Sequence, residues 1–283
     1  MGYIPFKYLS DFFAFLQREE SIEVITYKDF VHGNRDNLRL WKKSRDPRKI
    51  SVVIQHDVDS QAQSSLDILR VQQKLQLKSN VMIFNKRVDR GLLKTTGELA
   101  FTDYMSDNQL NELKQLQDEA GIVIGYHANA YEQALFDLEK AWGIFRDDLE
   151  ELRKKFTVDY YSYHGGIRDS RGKSNEILGQ VDKGLKVHWV HNGDPLKFAK
   201  RYSDGGLATA GERKGDLVRF VRKMKPGKCY QILIHPQYYS HELIRDPLNP
   251  TYKNLHRFDW FREIIDFYEE SPRGDYWLGK MSK

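Results

Sequence analysis

The stretch Ile50-Ser51-Val52-Val53-Ile54-Gln55-His56-Asp57-Val58-Asp59 decides how the rest of the sequence is interpreted. It opens on a mostly β-branched apolar run, which predicts a strand buried in a parallel sheet. The run ends in a histidine and two carboxylates, and charged groups at the end of a buried strand need water, a metal ion or a partner. We therefore predict that this strand end belongs to an active site.

A strand-then-helix rhythm extends outward from this stretch. Further strands are predicted over residues 79–85, 121–127, 158–164, 186–191 and 229–235. Helices are predicted over residues 5–19, 60–75, 107–120, 132–156, 216–224 and 258–270. Such alternation indicates right-handed βαβ units and a parallel sheet. Six or seven strands are too few for a regular eight-stranded barrel, so the predicted fold is α/β, an incomplete or distorted (β/α) barrel with about seven parallel strands.

The chain is predicted to form one domain over residues 1–283, because α/β barrels of this size are often undivided and no linker or repeat marks a boundary. Within it we expect a core at about 50–240, an N-terminal helical segment over 1–49 and a C-terminal helix and tail over 241–283.

Charge and cysteine content exclude several classes of protein. The 45 Lys and Arg residues against 40 Asp and Glu give a net charge of +5, interspersed along the chain, which is a mild bias toward anionic substrates and not a nucleic-acid signature. Residues 31–49 carry a dense basic cluster that could be a solvated loop or a phosphate-binding patch.

Cys229 is the single cysteine, so no intramolecular disulfide forms. No apolar run is long enough to span a bilayer and the N-terminus lacks a signal-peptide pattern, so we expect a cytoplasmic protein. The oligomeric state is left open.

Polar side chains stand at the ends of four predicted strands. Asp57 and Asp59 lie two residues apart and share a face, and His127, His164 and His235 each close another strand. The carboxyl ends of barrel strands meet on one face. Two imidazoles and a carboxylate make a three-ligand site of the kind that holds catalytic zinc or a similar divalent ion, and the second carboxylate could act as general base. Each residue alone could also be structural, for example as a helix cap.

These residues occur in four motifs, His56-Asp57-Val58-Asp59, Gly125-Tyr126-His127, Tyr163-His164-Gly165-Gly166 and Leu233-Ile234-His235-Pro236. In this order, over residues 50–240, they resemble the successive motifs of the polysaccharide deacetylase superfamily, which includes chitooligosaccharide and peptidoglycan deacetylases. The first motif is similar to that of a branch found in bacterial surface-polysaccharide assembly. The resemblance implies a distorted (β/α) barrel of about seven strands and the removal of an N-acyl group from a sugar.

Carried over by position, the resemblance implies that Asp57 is the catalytic base, Asp59 and His127 are metal ligands and His235 is the general acid. Tyr131 stands where the superfamily has a second histidine, four residues after the first. We therefore assign the third ligand to His164. The expected cofactor is a divalent metal ion, Zn²⁺ in the first instance. A backbone N–H at Gly165 or Gly166 could share the charge of an oxyanion, or the glycines could simply permit positive φ.

Substrate contacts are predicted from residues that follow the strand ends. Arg168, Arg171 and Asn175 come after His164 and could hold a carboxylate or phosphate of a sugar or activated sugar. Further candidates are Asn192 and Asp194, at the end of another strand, and Tyr238, which could stack on a sugar ring. The remaining histidines are expected at the surface or in supporting positions, and His56 should face the other side of its strand. Two alternatives stay open, a non-catalytic carbohydrate-binding relative and a metallohydrolase of another C–N amide bond.

Overall fold

A computed structural model describes residues 2–30, 46–60, 62–179, 184–190, 198–205 and 216–281. Its strands in chain order are β1 Ile4–Pro5, β2 Ile22–Ile25, β3 Ile50–Asp57, β4 Asn80–Ile83, β5 Arg87–Val88, β6 Phe101–Thr102, β7 Val123–Ala128, β8 Val158–Tyr163, β9 His188–Trp189, β10 Lys200–Ser203, β11 Cys229–Ile234 and β12 Tyr239–Ser240. Its α-helices are α1 Phe6–Arg18, α2 Tyr27–Phe30, α3 Ala62–Lys74, α4 Arg90–Thr96, α5 Asp107–Glu119, α6 Ala130–Gln133, α7 Leu138–Arg153, α8 Leu217–Arg222, α9 Pro250–Leu255, α10 Asp259–Glu270 and α11 Tyr276–Met281.

The main sheet confirms the predicted α/β fold. Seven strands follow one hydrogen-bonded path in the order β10-β11-β3-β4-β7-β8-β9, and β2 joins the sheet beside β3. Every pairing in it is parallel. No ladder joins β9 to β10 within the described residues, so the sheet there is the incomplete barrel that the strand count predicts.

β3 is the centre of this sheet, and all eight of its residues are buried. β11 pairs along one edge, from Cys229 opposite Ser51 to Ile234 opposite His56. The other edge is shared, because β2 pairs with its first half and β4 with its second. Both edges of β3 are thus paired and every one of its residues is buried, which explains its nearly continuous apolar sequence.

The two faces of β3 have different surroundings. Val52 and Ile54 belong to the core formed with α1, α8, α10 and α11. Val53 faces the interior of the curved sheet with Met82 and Tyr160. Because side chains alternate along a strand, Gln55 and Asp57 fall on the interior side and His56 on the helix side, as the sequence predicts for His56.

Several predicted elements differ in the structure. Residues 22–25, assigned to an N-terminal helical segment, form β2, because their partner strand offers a free half-edge. The helix predicted over 132–156 is two helices, α6 and α7, separated at Leu135 and Phe136, whose φ values are positive. The strand predicted over 186–191 is reduced to β9. The sequence analysis did not predict β1, β5, β6, β10 and β12, nor α2, α4, α9 and α11. These are mostly elements of a few residues, too short for a periodic pattern.

Candidate active site

The carboxyl ends of four strands carry the candidate active site. Asp57 is the last residue of β3 and Asp59 follows two residues later. His127 lies near the end of β7, and His164 and His235 come directly after β8 and β11. The structure therefore brings together all five of the strand-end residues that the sequence singled out.

Three of these residues form a compact cluster. Asp59, His127 and His164 each offer one ligand atom, and these atoms lie within 4.8 Å of one another. The Asp59 Oδ1 atom is 3.2 Å from His127 Nε2 and 3.6 Å from His164 Nε2. The two imidazole rings pack edge to face at 5.0 Å between centroids. A carboxylate and two imidazoles at this spacing are a donor set suited to a divalent transition metal.

The surroundings of the cluster fix the orientation of its rings. The Ser162 hydroxyl lies 3.0 Å from His127 Nδ1, which directs the Nε2 atom toward Asp59. Phe84 packs against both imidazoles, with ring centroids 4.9 Å from His127 and 5.0 Å from His164. The cluster is thus closed by an aromatic ring on one side.

Charge and burial set the protonation states in the cluster. Burial opposes ionisation of Asp59, but the hydrogen bond from His127 and the neighbouring imidazoles lower the pKa of this carboxyl. Burial also lowers the pKa of His164 well below its ordinary value, and this effect exceeds the opposing attraction of Asp59. Burial would lower the pKa of His127 too, but the charges of Asp57 and Asp59 raise it. A metal ion binds an ionised carboxylate and a neutral imidazole, so a divalent ion would displace the His127 proton on binding, and the donor set fits such an ion.

Asp57 lies beside the cluster with one oxygen already engaged. Gln55 Nε2 donates to Asp57 Oδ1 at 2.5 Å, while Asp57 Oδ2 is 3.7 Å from His127 Nε2. The Gln55 amide is held in turn by Gln231, whose Nε2 donates to Gln55 Oε1 at 2.8 Å. The Tyr27 hydroxyl and the Arg201 guanidinium complete this buried chain of hydrogen bonds. Asp57 is therefore a fixed carboxylate and not a helix cap.

His235 is paired with a residue that the sequence analysis missed. The fully buried Asp204 accepts from His235 Nδ1 at 2.5 Å and from the His235 backbone N–H at 2.9 and 3.0 Å. Burial alone would lower the pKa of His235, but the charge and hydrogen bond of Asp204 raise it to about 9. Asp204 follows β10 directly, so its place at a strand end was the signal that could have identified it.

Tyr131 takes no part in the cluster. Its hydroxyl donates to Asp169 Oδ2 at 2.8 Å and accepts from Arg171 Nη2 at 2.8 Å. The next residue, Glu132, is fully buried, and its Oε2 lies 4.0 Å from His164 Nδ1. The loop after His164 packs directly on this carboxylate, since a Cβ atom on Gly166 would lie 1.8 Å from Glu132 Oε1.

This contact corrects one expectation for the glycines. Neither Gly165 nor Gly166 has a positive φ. Gly166 is required by the close approach of Glu132, whereas Gly165 has open space around its Cα.

The predicted substrate contacts fall in different places. Asn175 is fully buried. Its Oδ1 accepts from the backbone N–H groups of Tyr131 and Glu132, and its Nδ2 donates to the His164 carbonyl. In this structure the amide holds the loop behind His164, and a substrate contact of Asn175 stays a prediction.

The other predicted contacts are more exposed or lie elsewhere. Arg168 is exposed and donates to the Gly172 carbonyl at 2.7 Å, while Arg171 is paired with Asp169. The Tyr238 ring packs at 5.6 Å from the His235 ring. Asn192 and Asp194, like the greater part of the basic cluster over 31–49, lie outside the described residues.

A cavity of about 250 Å³ opens beside the cluster. Its polar lining includes side chains that the sequence analysis did not single out, namely Arg87, Arg90, Asn129, Glu132 and Gln237. Asp59 and His164 form part of the same wall, so the cavity adjoins the candidate metal site. It is the natural place for the part of a substrate next to the reacting bond.

Comparison with solved structures finds similar proteins at low sequence identity. A family 4 carbohydrate esterase from Bacillus anthracis is 14% identical with a TM-score of 0.36, over 82% of this chain and 87% of that one. The peptidoglycan deacetylase PdaC from Bacillus subtilis is 13% identical with a TM-score of 0.40, over 80% and 87%. A CE4 esterase from Streptococcus mutans is 16% identical with a TM-score of 0.36, over 79% and 82%. No protein-family model and no curated protein matches the chain.

Across the described ranges, no helix has both the length and the apolar character needed to cross a bilayer.

Proposed function

We propose that this chain is a metal-dependent hydrolase of the polysaccharide deacetylase superfamily that removes an N-acyl group, such as acetyl, from a sugar. One observation carries the proposal. The donor atoms of Asp59, His127 and His164 converge within 4.8 Å, and the Asp57 carboxylate and the His235 imidazole lie beside them. Hydrolysis of an amide needs a base for the attacking water and an acid for the departing nitrogen, and Asp57 and His235 are suited to these tasks.

Asp59, His127 and His164 would hold the divalent ion, and Zn²⁺ is the ion we expect. When bound, such an ion supplies Lewis-acid polarisation and lowers the pKa of water toward ~7. The protein contributes the orientation of the ligands, through the hydrogen bond of His127 to Ser162 and the packing of Phe84.

Asp57 would take the proton of the attacking water at Oδ2, because its Oδ1 is engaged by Gln55. His235 would carry the proton for the leaving nitrogen at Nε2, because its Nδ1–H is directed at Asp204. With a pKa of about 9, His235 is protonated at neutral pH, as a general acid must be.

We also propose a specific biological role for this reaction. The substrate would be a sugar or activated sugar for a bacterial capsule or lipopolysaccharide O-antigen, deacylated in the cytoplasm before assembly. This part of the proposal is supported by the His56-Asp57-Val58-Asp59 motif alone.

Two alternatives use the same site. A non-catalytic carbohydrate-binding relative is favoured by Tyr131, which stands in place of a metal-binding histidine and bonds to Asp169. It is disfavoured by the paired base and acid, which binding alone does not require. A metallohydrolase of another C–N amide would differ only in its substrate.

Metal analysis and product release test the proposal together. The purified protein should hold one divalent ion per chain after loading, and Asp59→Ala and His127→Ala should each lose it by mass spectrometry of the metals. Asp57→Asn should keep the metal but release no acetate or formate from a panel of N-acylated sugars. Absence of metal binding would overturn the proposal. Metal binding and sugar binding without any release would establish the binding relative instead.

A further inference from the structure

Two arginine side chains line the cavity beside the cluster of Asp59, His127 and His164. Arg87 lies on β5, and Arg90 begins α4 after the Asp89 cap. Both line the same cavity as Asp59 and His164. Neither belongs to the four motifs that carry the resemblance.

Arg87 has hydrogen bonds but no carboxylate partner. Its Nε donates to the Asp59 carbonyl at 2.6 Å and its Nη1 donates to Thr102 Oγ1 at 2.9 Å. In the parts of the chain that the structure describes, no carboxylate oxygen lies within 4.0 Å of its guanidinium. Both acceptors are neutral, so the charge of Arg87 is not compensated by a direct contact.

Arg90 has one buried acidic neighbour at the edge of contact. Its Nε is 3.6 Å from Glu132 Oε1 and makes no hydrogen bond within the described structure. Its Nη1 lies 3.4 Å from His164 Nε2. A lone pair serves one partner at a time, so Arg90 Nη1 would lose this acceptor if His164 Nε2 held a metal ion.

The charges of the site do not sum to zero once a divalent ion is present. Asp57 and Asp59 would balance the two charges of the ion, Asp204 balances His235, and Glu132 balances Arg90. Among the side chains that line this partly closed cavity, Arg87 then has no carboxylate to balance its charge. A low local dielectric makes such an uncompensated charge costly.

A neutral recognition group lies on the same wall. Gln237 Nε2 donates to Asp59 Oδ2 at 3.3 Å, while its Oε1 is buried and makes no hydrogen bond in the described structure. A buried acceptor without a donor is suited to a hydroxyl group.

We propose that this cavity binds an anionic substituent of the substrate sugar, a carboxylate or a phosphate, between Arg87 and Arg90, with a sugar hydroxyl on Gln237. A guanidinium group can bind two oxygens of a planar carboxylate or of a tetrahedral phosphate at once, so both groups suit this site. The inference rests on the proposed function for its reaction, but the binding of an anionic sugar can be measured without turnover.

A matched set of N-acetylhexosamines separates the two sources of the anion. The metal-loaded enzyme is assayed with the neutral methyl glycoside, the 1-phosphate, a nucleotide diphosphate sugar and the 6-carboxylate. We expect kcat/KM for at least one anionic member to exceed that of the neutral one about tenfold or more. The member that is preferred identifies carboxylate, phosphate or diphosphate as the ligand.

Arg90→Gln is the decisive variant, with Arg87→Gln as a second. The ratio of anionic to neutral kcat/KM should fall about tenfold in each. Arg146, which is exposed on α7, does not line the cavity, and Arg146→Gln should keep the wild-type ratio. Equal loss for anionic and neutral sugars in Arg90→Gln, or a wild-type preference for the neutral sugar, would overturn the inference.

Calorimetry in the Asp57→Asn background provides a readout independent of activity. N-acetylhexosamine 1-phosphate and the 6-carboxylate are titrated into this variant with and without Arg90→Gln. Arginine-dependent binding without hydrolysis by the wild type would support the anion site and contradict the proposed reaction. Hydrolysis of neutral and anionic sugars at equal rates, without arginine-dependent binding, would support the proposed reaction and contradict the anion site.

Discussion

Asp204 holds His235 at two points, accepting from the backbone N–H at 2.9 Å and from the ring Nδ1 at 2.5 Å. The carboxylate is fully buried, so its charge acts on the imidazole with little screening. Between them the two contacts fix both the orientation of the ring and its protonation at neutral pH.

We predict that Asp204→Asn shifts the alkaline limit of activity to lower pH. His235 is protonated below its pKa of about 9, so an acid-dependent kcat should decline as pH rises through that value. Without the carboxylate, burial still lowers the pKa, and the decline should move down by at least about one pH unit. The pH profile of kcat and NMR titration of the imidazole measure the shift. Asp148→Asn, at a buried carboxylate bonded to Tyr126, should leave the alkaline limit unchanged.

Gly205→Ala should displace the His235 ring. A Cβ atom at this position would lie 2.8 Å from His235 Cε1 and 2.9 Å from Ser203 Oγ. We expect kcat to fall about tenfold or more while the metal content is unchanged, because the cluster of Asp59, His127 and His164 is not touched. Kinetics and metal analysis on the same sample decide this. Gly143→Ala, where nothing lies within 4 Å, is the matched control and should stabilise α7 by about 0.5–1 kcal/mol. Unaltered kcat in Gly205→Ala would show that the ring position is not critical.

Gln55→Leu should impair the reaction without affecting metal binding. The amide donates to Asp57 Oδ1 at 2.5 Å and has no bond to the three ligands. Loss of a hydrogen bond to a charged group costs about 1.5–3 kcal/mol, so kcat/KM should fall roughly 10- to 150-fold. Retention of the metal, measured by mass spectrometry, separates this effect from loss of the site. Loss of the metal in Gln55→Leu would instead show that Gln55 supports the cluster of metal ligands.

His56 should make the free energy of unfolding depend on pH. Burial lowers its pKa to about 4, against the opposing effect of the hydrogen bond that His56 Nε2 donates to Gln72 Oε1, whereas an unfolded histidine titrates near 6.5. Above pH ~6.5 the histidine is neutral in both states and costs nothing. As pH falls toward ~4 the unfolded state binds the proton first, and stability is lost by about 3 kcal/mol at most.

Urea unfolding at pH values from about 4 to 7.5 measures this dependence. His56→Gln should flatten it relative to the wild type. The exposed His256→Gln should keep the wild-type curve. If the two variants behave alike, His56 is not the group responsible.

The strand-end residues of the site could be predicted because chemistry and secondary structure coincide there. A β-branched run that ends in Asp57 and Asp59 predicts a buried strand with charged groups at its end, and the carboxyl ends of parallel strands lie at one edge of the sheet. The helix side of His56 followed from simple alternation along β3.

Other contributors could not be predicted, for physical reasons that differ from residue to residue. Asp204 follows a four-residue strand, too short for a periodic signal. Asn175 begins a short 3-10 helix after the loop that follows His164, and only tertiary packing determines that its amide turns inward. Arg87 lies on β5 and Arg90 begins the helix after it. β5 is held in place by its antiparallel partner β6, which begins at Phe101, and local sequence does not encode this pairing.

The position of β3 between β11 and the pair β2 and β4 also has a consequence for folding kinetics. Gln55 and Gln231 are 176 residues apart in the chain, yet their hydrogen bond joins the strand that ends at Asp57 to the strand that precedes His235. Contacts of such long range form slowly, because the chain loses the entropy of loop closure before the contact can stabilise it. During synthesis β3 therefore emerges long before β11, with an apolar strand edge exposed. We expect refolding to be slow and to be limited by the docking of β11, and catalytic competence to appear only with that last step.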